Sequence, residues 1–258
     1  MKVVNKMVLI IDNGNTFLKA TIYTNNGKEV DFSETKSKQK LDSFFNKIKK
    51  HNKVKKCYIC SVVPSSNKAL KDAIEKVFKI KPNFVQNNQF INAFDLSKFN
   101  INEVGTDILA FALYLQKTYK KSIGICYGTA LFAIGVDNKK LLGAIILPHI
   151  DTGLKELGRK TEMINNEKID FNHNSLEFGH NTKEALTSGI NHFYMGVTTN
   201  IVNYFHKFYK FNKLCLTGGN RLRLKLFDKS NEKIKVFDVS NAVTKGLACL
   251  IFKNNKNL

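Results

Sequence analysis

The chain has 258 residues, 43% hydrophobic and 24% charged, a globular composition that excludes wholesale disorder and collagen-like repeats. Its net charge of +20 invites nucleic acid as a partner, but 38 of the 41 basic residues are lysine, and readers of bases and phosphates lean on the bidentate fork of arginine. No apolar run approaches the roughly 20 residues of a membrane helix, and Val8-Leu9-Ile10-Ile11 stops at Asp12, too short for a signal-peptide core, so the expectation is a cytoplasmic protein with no membrane or nucleic-acid partner.

In chain order, Met7–Asp12, Phe17–Tyr23 and Glu29–Phe32 are predicted strands. Asn13-Gly14 and Asn26-Gly27 join them as hairpin signals, because both residue types tolerate positive φ. A helix is predicted over Leu41–Lys50, a strand over Val54–Val63, a helix over Asn67–Phe78, a strand near Phe84 and a helix from Asp107 to Tyr119. Cys57 and Cys60 have metal-knuckle spacing, but no second Cys or His pair completes a zinc set. Positions i and i+3 of a strand also face opposite sides, so both cysteines read as buried and structural.

The layout then repeats. Ser122–Cys126, Ala130–Val136 and Leu141–Leu147 are again three apolar strands, joined at Tyr127-Gly128-Thr129 and Asp137-Asn138. Ile11-Asp12-Asn13-Gly14 aligns with Ile125-Cys126-Tyr127-Gly128 at an offset of 114 residues. A long helix over Lys183–Tyr209, a strand at Lys213–Leu216 ending in Thr217-Gly218-Gly219, and a last helix at Asn241–Phe252 follow. The duplication predicts an α/β fold of two similar lobes, residues 1–120 and 121–258, with a cleft between them that suits a small ligand.

The chain lacks the signatures of P-loop, Rossmann, zincin and hydrolase-elbow chemistry. Asp12-Asn13-Gly14-Asn15-Thr16, at the end of an apolar strand, has the parts of a phosphate site. Glycine admits phosphate oxygens to backbone N–H groups, Asn15 and Thr16 add donors, Lys19 adds charge, and Asp12 suits the water shell of Mg²⁺. By itself the stretch reads first as a plain Asn-Gly hairpin. Gly128-Thr129 in the matching place of the second lobe, and the late turn at Gly218-Gly219, favour the phosphate reading.

Two phosphate hairpins and a late Gly-Gly turn resemble the actin/hexokinase/Hsp70 ATPase superfamily. Within it, the order and spacing resemble the type III pantothenate kinases over nearly the whole chain. The matching pieces are Asp12-x-Gly14-Asn15-Thr16 with Lys19, Ser61-Val62-Val63-Pro64, Gly105-Thr106-Asp107, Gly128-Thr129-Ala130, Leu142-Gly143-Ala144-Ile145 with Pro148, Thr161, Gly179-x-Asn181-Thr182 with Ser188-Gly189, and Thr217-Gly218-Gly219. The resemblance implies two ribonuclease-H-like lobes with the nucleotide between them. It also implies ATP- and Mg²⁺-dependent phosphorylation of pantothenate to 4'-phosphopantothenate, the first step of coenzyme A synthesis, by a homodimer. Asp107 would be the general base, and Gly105, Thr106, Asp107, Ile108 and Thr182 would meet pantothenate. Asp12 would organise Mg²⁺; Gly14, Asn15, Thr16, Lys19, Gly128 and Thr129 would hold phosphates; Gly218 and Gly219 would lie near the adenosine.

The chain also departs from the pattern. The family's arginine after the base is Ile108. Its monovalent-cation aspartate is Cys126, which reads as a buried, inert cysteine and puts a K⁺ or NH₄⁺ requirement in doubt. A later aspartate falls at Ile134, a glycine at His149, and Phe99-Asn100-Ile101 replaces the aromatic and proline positions before Gly105. These departures keep open a second reading, a non-catalytic homologue acting as regulator or as partner of an active paralogue; a third is another sugar or acid kinase of the superfamily. Asn181, with Glu184 three residues on, has the pattern of a helix cap. The apolar stripe Ile190, Phe193, Val197, Ile201 and Phe205 suits either a dimer interface or the core of its own lobe, and His149, His180, His192 and His206 read as structural.

Overall fold

The computed structural model describes residues 6–36, 39–49, 53–162, 164, 176–219 and 233–252. The chain forms two compact units: Met1–Lys120, Val136–Leu141 and Asn241–Leu258 make the first, Lys121–Gly135 and Leu142–Ser240 the second.

In the first unit, β1 (Met7–Asn13), β2 (Leu18–Thr24) and β3 (Glu29–Thr35) form an antiparallel meander, followed by α1 (Leu41–Lys49), β4 (Val54–Ser61), α2 (Asn67–Phe78), β5 (Asn83–Phe84) and α3 (Thr106–Tyr119). The strand order is β3-β2-β1-β4-β5, with β1, β4 and β5 parallel. Val8–Ile11 are all buried, the continuous apolar run expected of a strand covered on both faces. Leu9, Ile11, Leu18 and Ile59 pack with Phe45, Ile48, Leu70 and Ile74 of α1 and α2. Residues of opposite parity, Asp12 with Lys19 and Cys60 in register on its two sides, lie on the other face.

The second unit contains β6 (Lys121–Tyr127), most of β7 (Ala130–Asp137) and of β8 (Lys140–Pro148), then α4 (Ile150–Lys160), α5 (Thr182–Tyr209), β9 (Lys213–Thr217) and β10 (Lys235–Asp238). The sheet order β10-β9-β6-β7-β8 is the first sheet's order in reverse notation, the duplication read from the 114-residue offset. The final helix, α6 (Ala242–Ile251), returns to the first unit. There Thr244 meets Thr21 through buried hydroxyls 2.8 Å apart, and Asn241 and Lys245 bind Glu29 at 2.9 and 3.3 Å. These pairs, more than 200 positions apart in sequence, hold the chain's last helix to its first sheet.

Several expectations change. α4 and β10 were absent from the predicted elements. α4 is amphipathic but carries two helix-weakening glycines, Gly153 and Gly158, and β10 has only four residues, too few to show an alternation. Positive φ occurs at Gly27 (80°) and Asn138 (52°), but not at Asn13 or Gly14, so the first joint is a wider loop and not a tight hairpin. The α5 stripe is internal: Ile190, Ile201 and Phe205 belong to the second unit's core and Val197 packs against it, leaving Phe193 38% exposed. Among the described residues no helix is long and apolar enough to cross a membrane.

Candidate active site

Because β1, β4 and β5 are parallel, their C-terminal ends share one edge of the first sheet, where open α/β sheets place ligands. Asp12 and Asn13 stand there. The following loop closes through the Gly14 N–H on the Phe17 carbonyl (3.1 Å), leaving Asn15 and Thr16 exposed at its tip. Asn13 is buried and ties the strand ends together. Its Nδ2 donates to Ser61 Oγ and Ser66 Oγ, both at 2.9 Å, and its carbonyl accepts from the Val62 N–H. Ser61 Oγ in turn donates to Asn67 Oδ1 (2.5 Å), so the strand end is braced on α2. Lys19, buried in β2, stands opposite Asp12.

A second carboxylate arrives from a distant part of the chain. Burial pushes the Cys60 thiol well above its ordinary range, and the charges of Asp12 and of Asp107 both add to this, so the two carboxylates lie near one buried sulfur. Asp107 sits in the first turn of α3, and its Oδ1 accepts from the Ile108 N–H at 2.9 Å. Burial raises the Asp107 carboxyl above the ordinary carboxylate range, opposed by backbone N–H bonds.

Gly105 caps this helix with φ −60° and ψ 134°, a conformation open to any residue. A Cβ there would stand 2.4 Å from Asp107 Oδ1. Gly105→Ala should therefore leave the backbone in place and turn the carboxylate away. We expect a thermal midpoint within about 3 °C of wild type and turnover reduced by about 100-fold, since a 1 Å misplacement of a reacting group costs that much. Melting curves beside steady-state kinetics check it; a variant that turns over normally would mean the carboxylate's present position is irrelevant.

In the second unit, β6 and β9 are parallel and end together. The Gly128 N–H donates to the Ala130 carbonyl at 3.1 Å, and the Thr129 carbonyl accepts from Thr152 Oγ1 of α4 at 3.2 Å. Gly218 has φ 97°, and a Cβ there would fall 2.4 Å from the Tyr127 carbonyl oxygen, with Gly219 half-buried beside it. Tyr127 is buried, pairs its hydroxyl with Thr198, and packs its ring on Tyr194, whose hydroxyl bonds His149 Nε2 at 2.5 Å. Thr182 opens α5 behind Asn181, whose Oδ1 accepts from the Glu184 N–H at 2.9 Å, while Glu184 accepts from the His180 N–H at 2.8 Å; the expected cap is present. Thr161 closes α4 by donating to the Leu157 carbonyl.

The first unit thus brings together Asp12, Gly14, Lys19, Gly105, Thr106 and Asp107, and the second brings Gly128 and Thr129 beside Gly218. The supporting roles of Asn13, Ser66, Asn67 and Thr152 have no signal in the sequence. Single polar residues at the ends of elements carry no periodicity, and Asn13 and Thr152 find their partners Ser61 and Thr129 at 48 and 23 positions' distance.

A family model described as "Type III pantothenate kinase" matches residues 8–204. The chain belongs to the type III pantothenate kinase family. A type III pantothenate kinase of Malacoplasma penetrans is 29% identical over 263 residues, covering 99% of this chain and all of the relative. One from Dictyoglomus turgidum is 30% identical over 261 residues, covering 96% and 100%. Among solved structures, a Baf family transcriptional activator from Campylobacter jejuni is 21% identical with a TM-score of 0.59, covering 97% of this chain and 100% of that one. Component A of the (R)-2-hydroxyglutaryl-CoA dehydratase of Acidaminococcus fermentans is 12% identical with a TM-score of 0.51, covering 97% and 98%. These structures carry the fold alone: the duplicated α/β, ribonuclease-H-like architecture of the actin-like ATPases.

As a type III pantothenate kinase, the chain departs from the family motifs at positions with visible local roles. Ile108 supplies the N–H that holds Asp107 Oδ1. Ile134 is fully buried in β7, where an aspartate would be desolvated. His149 is buried against Tyr194 in a hydrogen bond, as its structural reading requires. Cys126 is half-buried, not buried as expected, and its sulfur offers no hard oxygen to an alkali cation.

Proposed function

We propose that the protein transfers the γ-phosphoryl group of ATP to the primary hydroxyl of pantothenate, giving 4'-phosphopantothenate and ADP, the entry step of coenzyme A synthesis. The observation that carries this reading is the Asp107 carboxylate, fixed at the start of α3 near Asp12 at the sheet edge and raised by burial toward the range of a working base. Asp107 accepts the proton of the attacking hydroxyl as its oxygen bonds to phosphorus and the bond to ADP breaks. Phosphoryl transfer is mainly positioning and charge neutralisation, so the remaining residues orient. Gly14, Asn15, Thr16, Lys19, Gly128 and Thr129 hold phosphate oxygens, while Gly218 and Gly219 lie near the adenosine. Gly105, Thr106, Ile108 and Thr182 meet pantothenate. The carboxylate oxygens of Asp12 suit Mg²⁺, which when bound supplies neutralisation of phosphate charge.

The test is ADP release from purified protein given ATP with and without pantothenate. Release that requires pantothenate supports the reading; none above the background of Asp107→Asn would overturn it in favour of a non-catalytic homologue. Ile108 and Cys126 speak for that alternative, and the retained pairing of Asp12 with Lys19 and the buried Asp107 speak against it.

Cys126 carries a separate consequence. A neutral thiol gives K⁺ or NH₄⁺ neither charge nor hardness, so turnover in Na⁺ or Tris should match that in K⁺ at equal ionic strength within about twofold. Strong K⁺ activation would mean that other oxygens rebuild a cation site. We further infer a cytoplasmic homodimer. With most of the α5 stripe committed to its own core, the exposed Phe193, Tyr204 and Phe208 face is the surface assigned to the partner copy, and the Tyr204 and Phe208 rings pack on each other with centroids 4.7 Å apart, tilted by 44°. Light scattering at micromolar concentration should give twice the 29.3 kDa chain mass, and Phe208→Glu should halve it. A monomeric mass for the wild type would remove the dimer.

A further inference from the structure

We propose that Asn87 is a positioning residue that fixes the Gly105–Ile108 segment, and with it Asp107, against the edge of the first sheet. Asn87 begins a 3₁₀ turn (Asn87–Phe90) just after β5. That turn is firmly mounted. The Val85 N–H bonds the Ile59 carbonyl at 2.8 Å, the Gln86 N–H bonds Gln89 Oε1 at 2.8 Å, and Phe90 is fully buried. Ile59 directly precedes Cys60, the residue near both carboxylates, so Asn87 is tied to the strand end that organises the site.

From this mount the side chain uses its whole amide. Nδ2 donates to the carbonyls of Ile101 and Val104, both at 2.7 Å, and Oδ1 accepts from Thr106 Oγ1 at 2.5 Å. Both acceptors on Nδ2 are carbonyls, so the amide has one orientation that satisfies all three bonds. The segment it grips has little else regular to hold it. Residues 97–105 contain no strand or helix, and Glu103 is turned back onto Asn100 by a backbone bond (2.9 Å) and a side-chain bond (2.6 Å). A short irregular loop drifts unless its carbonyls are fixed from outside, and Asn87 fixes the two that flank the entry to α3 while also fixing the helix's first hydroxyl. Leucine has the size without the bonds, and aspartate would set a carboxylate against two carbonyls. The residue type is therefore specific to the grip and not to filling space.

The proposal rests on the kinase reading for its kinetic consequence, and its structural consequence is measured without turnover. Asn87→Leu should lower kcat/KM for pantothenate by about 10- to 100-fold and leave the KM for ATP within about twofold, because the ATP loops are mounted elsewhere. Thr106→Val should shift the same parameters in the same direction by a smaller factor, and Thr106→Ser, which keeps the hydroxyl, should restore them. Amide hydrogen exchange of the full chain should show residues 102–108 exchanging about tenfold faster in Asn87→Leu, with β1 and β4 unchanged. Uniformly faster exchange throughout the unit, or faster exchange of the segment with pantothenate kinetics unmoved, would reduce Asn87 to a folding residue and overturn the proposal. Should Asn87→Leu fail to fold, Asn87→Asp, which keeps the size and loses both donations, decides: wild-type exchange at 102–108 with wild-type pantothenate kinetics would also overturn it. A wild-type protein without turnover strikes the kinase reading, whereas unchanged exchange at 102–108 strikes this one.

Discussion

Asp107→Asn is expected to lower turnover by about 100- to 10,000-fold, the contribution of a positioned general base, while the KM for ATP stays within about twofold. The substitution keeps the shape and the contact with the Ile108 N–H, and removes the proton acceptor. The pH behaviour of the wild type belongs to the same argument. Burial raises the folded Asp107 carboxyl, so the acid limb of kcat/KM should lie above the ordinary aspartate value of about 3.9. The same shift has a consequence for stability, with a definite sign. The folded carboxyl binds its proton more tightly than the unfolded one, so protons favour the folded state. Stability is lost as pH rises from the ordinary carboxylate range through the raised one, and the loss is complete above it. Asparagine carries no such charge. The variant should therefore melt higher than wild type near pH 8, and the difference should disappear in acid below the ordinary aspartate range. An inactive variant that also melts lower at neutral pH would show that the carboxylate supports the fold, and the base assignment would lose its main support.

Gly218→Ala is expected to damage both the stability of the second unit and the binding of ATP. Two independent costs fall on one atom. The backbone at φ 97° is in a region that L side chains rarely adopt, and the added Cβ would stand 2.4 to 2.6 Å from the Tyr127 backbone. Strain of about 1–2 kcal/mol and overpacking of about 1–3 kcal/mol together predict a thermal midpoint lower by roughly 4–20 °C. Relief by moving Tyr127, the residue before Gly128-Thr129, would strain its bond with Thr198. The KM for ATP should thus rise about tenfold or more while the pantothenate KM changes little. Differential scanning calorimetry with both substrate titrations tests this. An unchanged melting point with normal ATP affinity would mean that the β9 turn relaxes freely and has no part in holding the second phosphate loop.

Most of the local structure was legible in the sequence. The apolar runs at Val8–Ile11 and Ile123–Ile125, the Asn181–Glu184 cap and the 114-residue repeat are patterns confined to short windows, and a strand or a cap is decided by neighbours along the chain. Tertiary structure alone decided the rest. Asp12 and Asp107 are 95 positions apart and share Cys60 because the parallel register of β1 and β4 sets Asp12 beside Cys60, and α3 starts beside that edge. The α5 stripe satisfies a core and a dimer interface equally by periodicity. The face already covered by the second sheet took Ile190, Ile201 and Phe205 inward and left Phe193, Tyr204 and Phe208 out. Asn87 has no signal in the chain, since an amide in a loop gains meaning from the carbonyls it meets. The return of α6 to the first unit is of the same kind. A helix's apolar face says that it must be covered, and the hydroxyl pair Thr21–Thr244 and the Glu29 bonds, formed across more than 200 residues, determine by what.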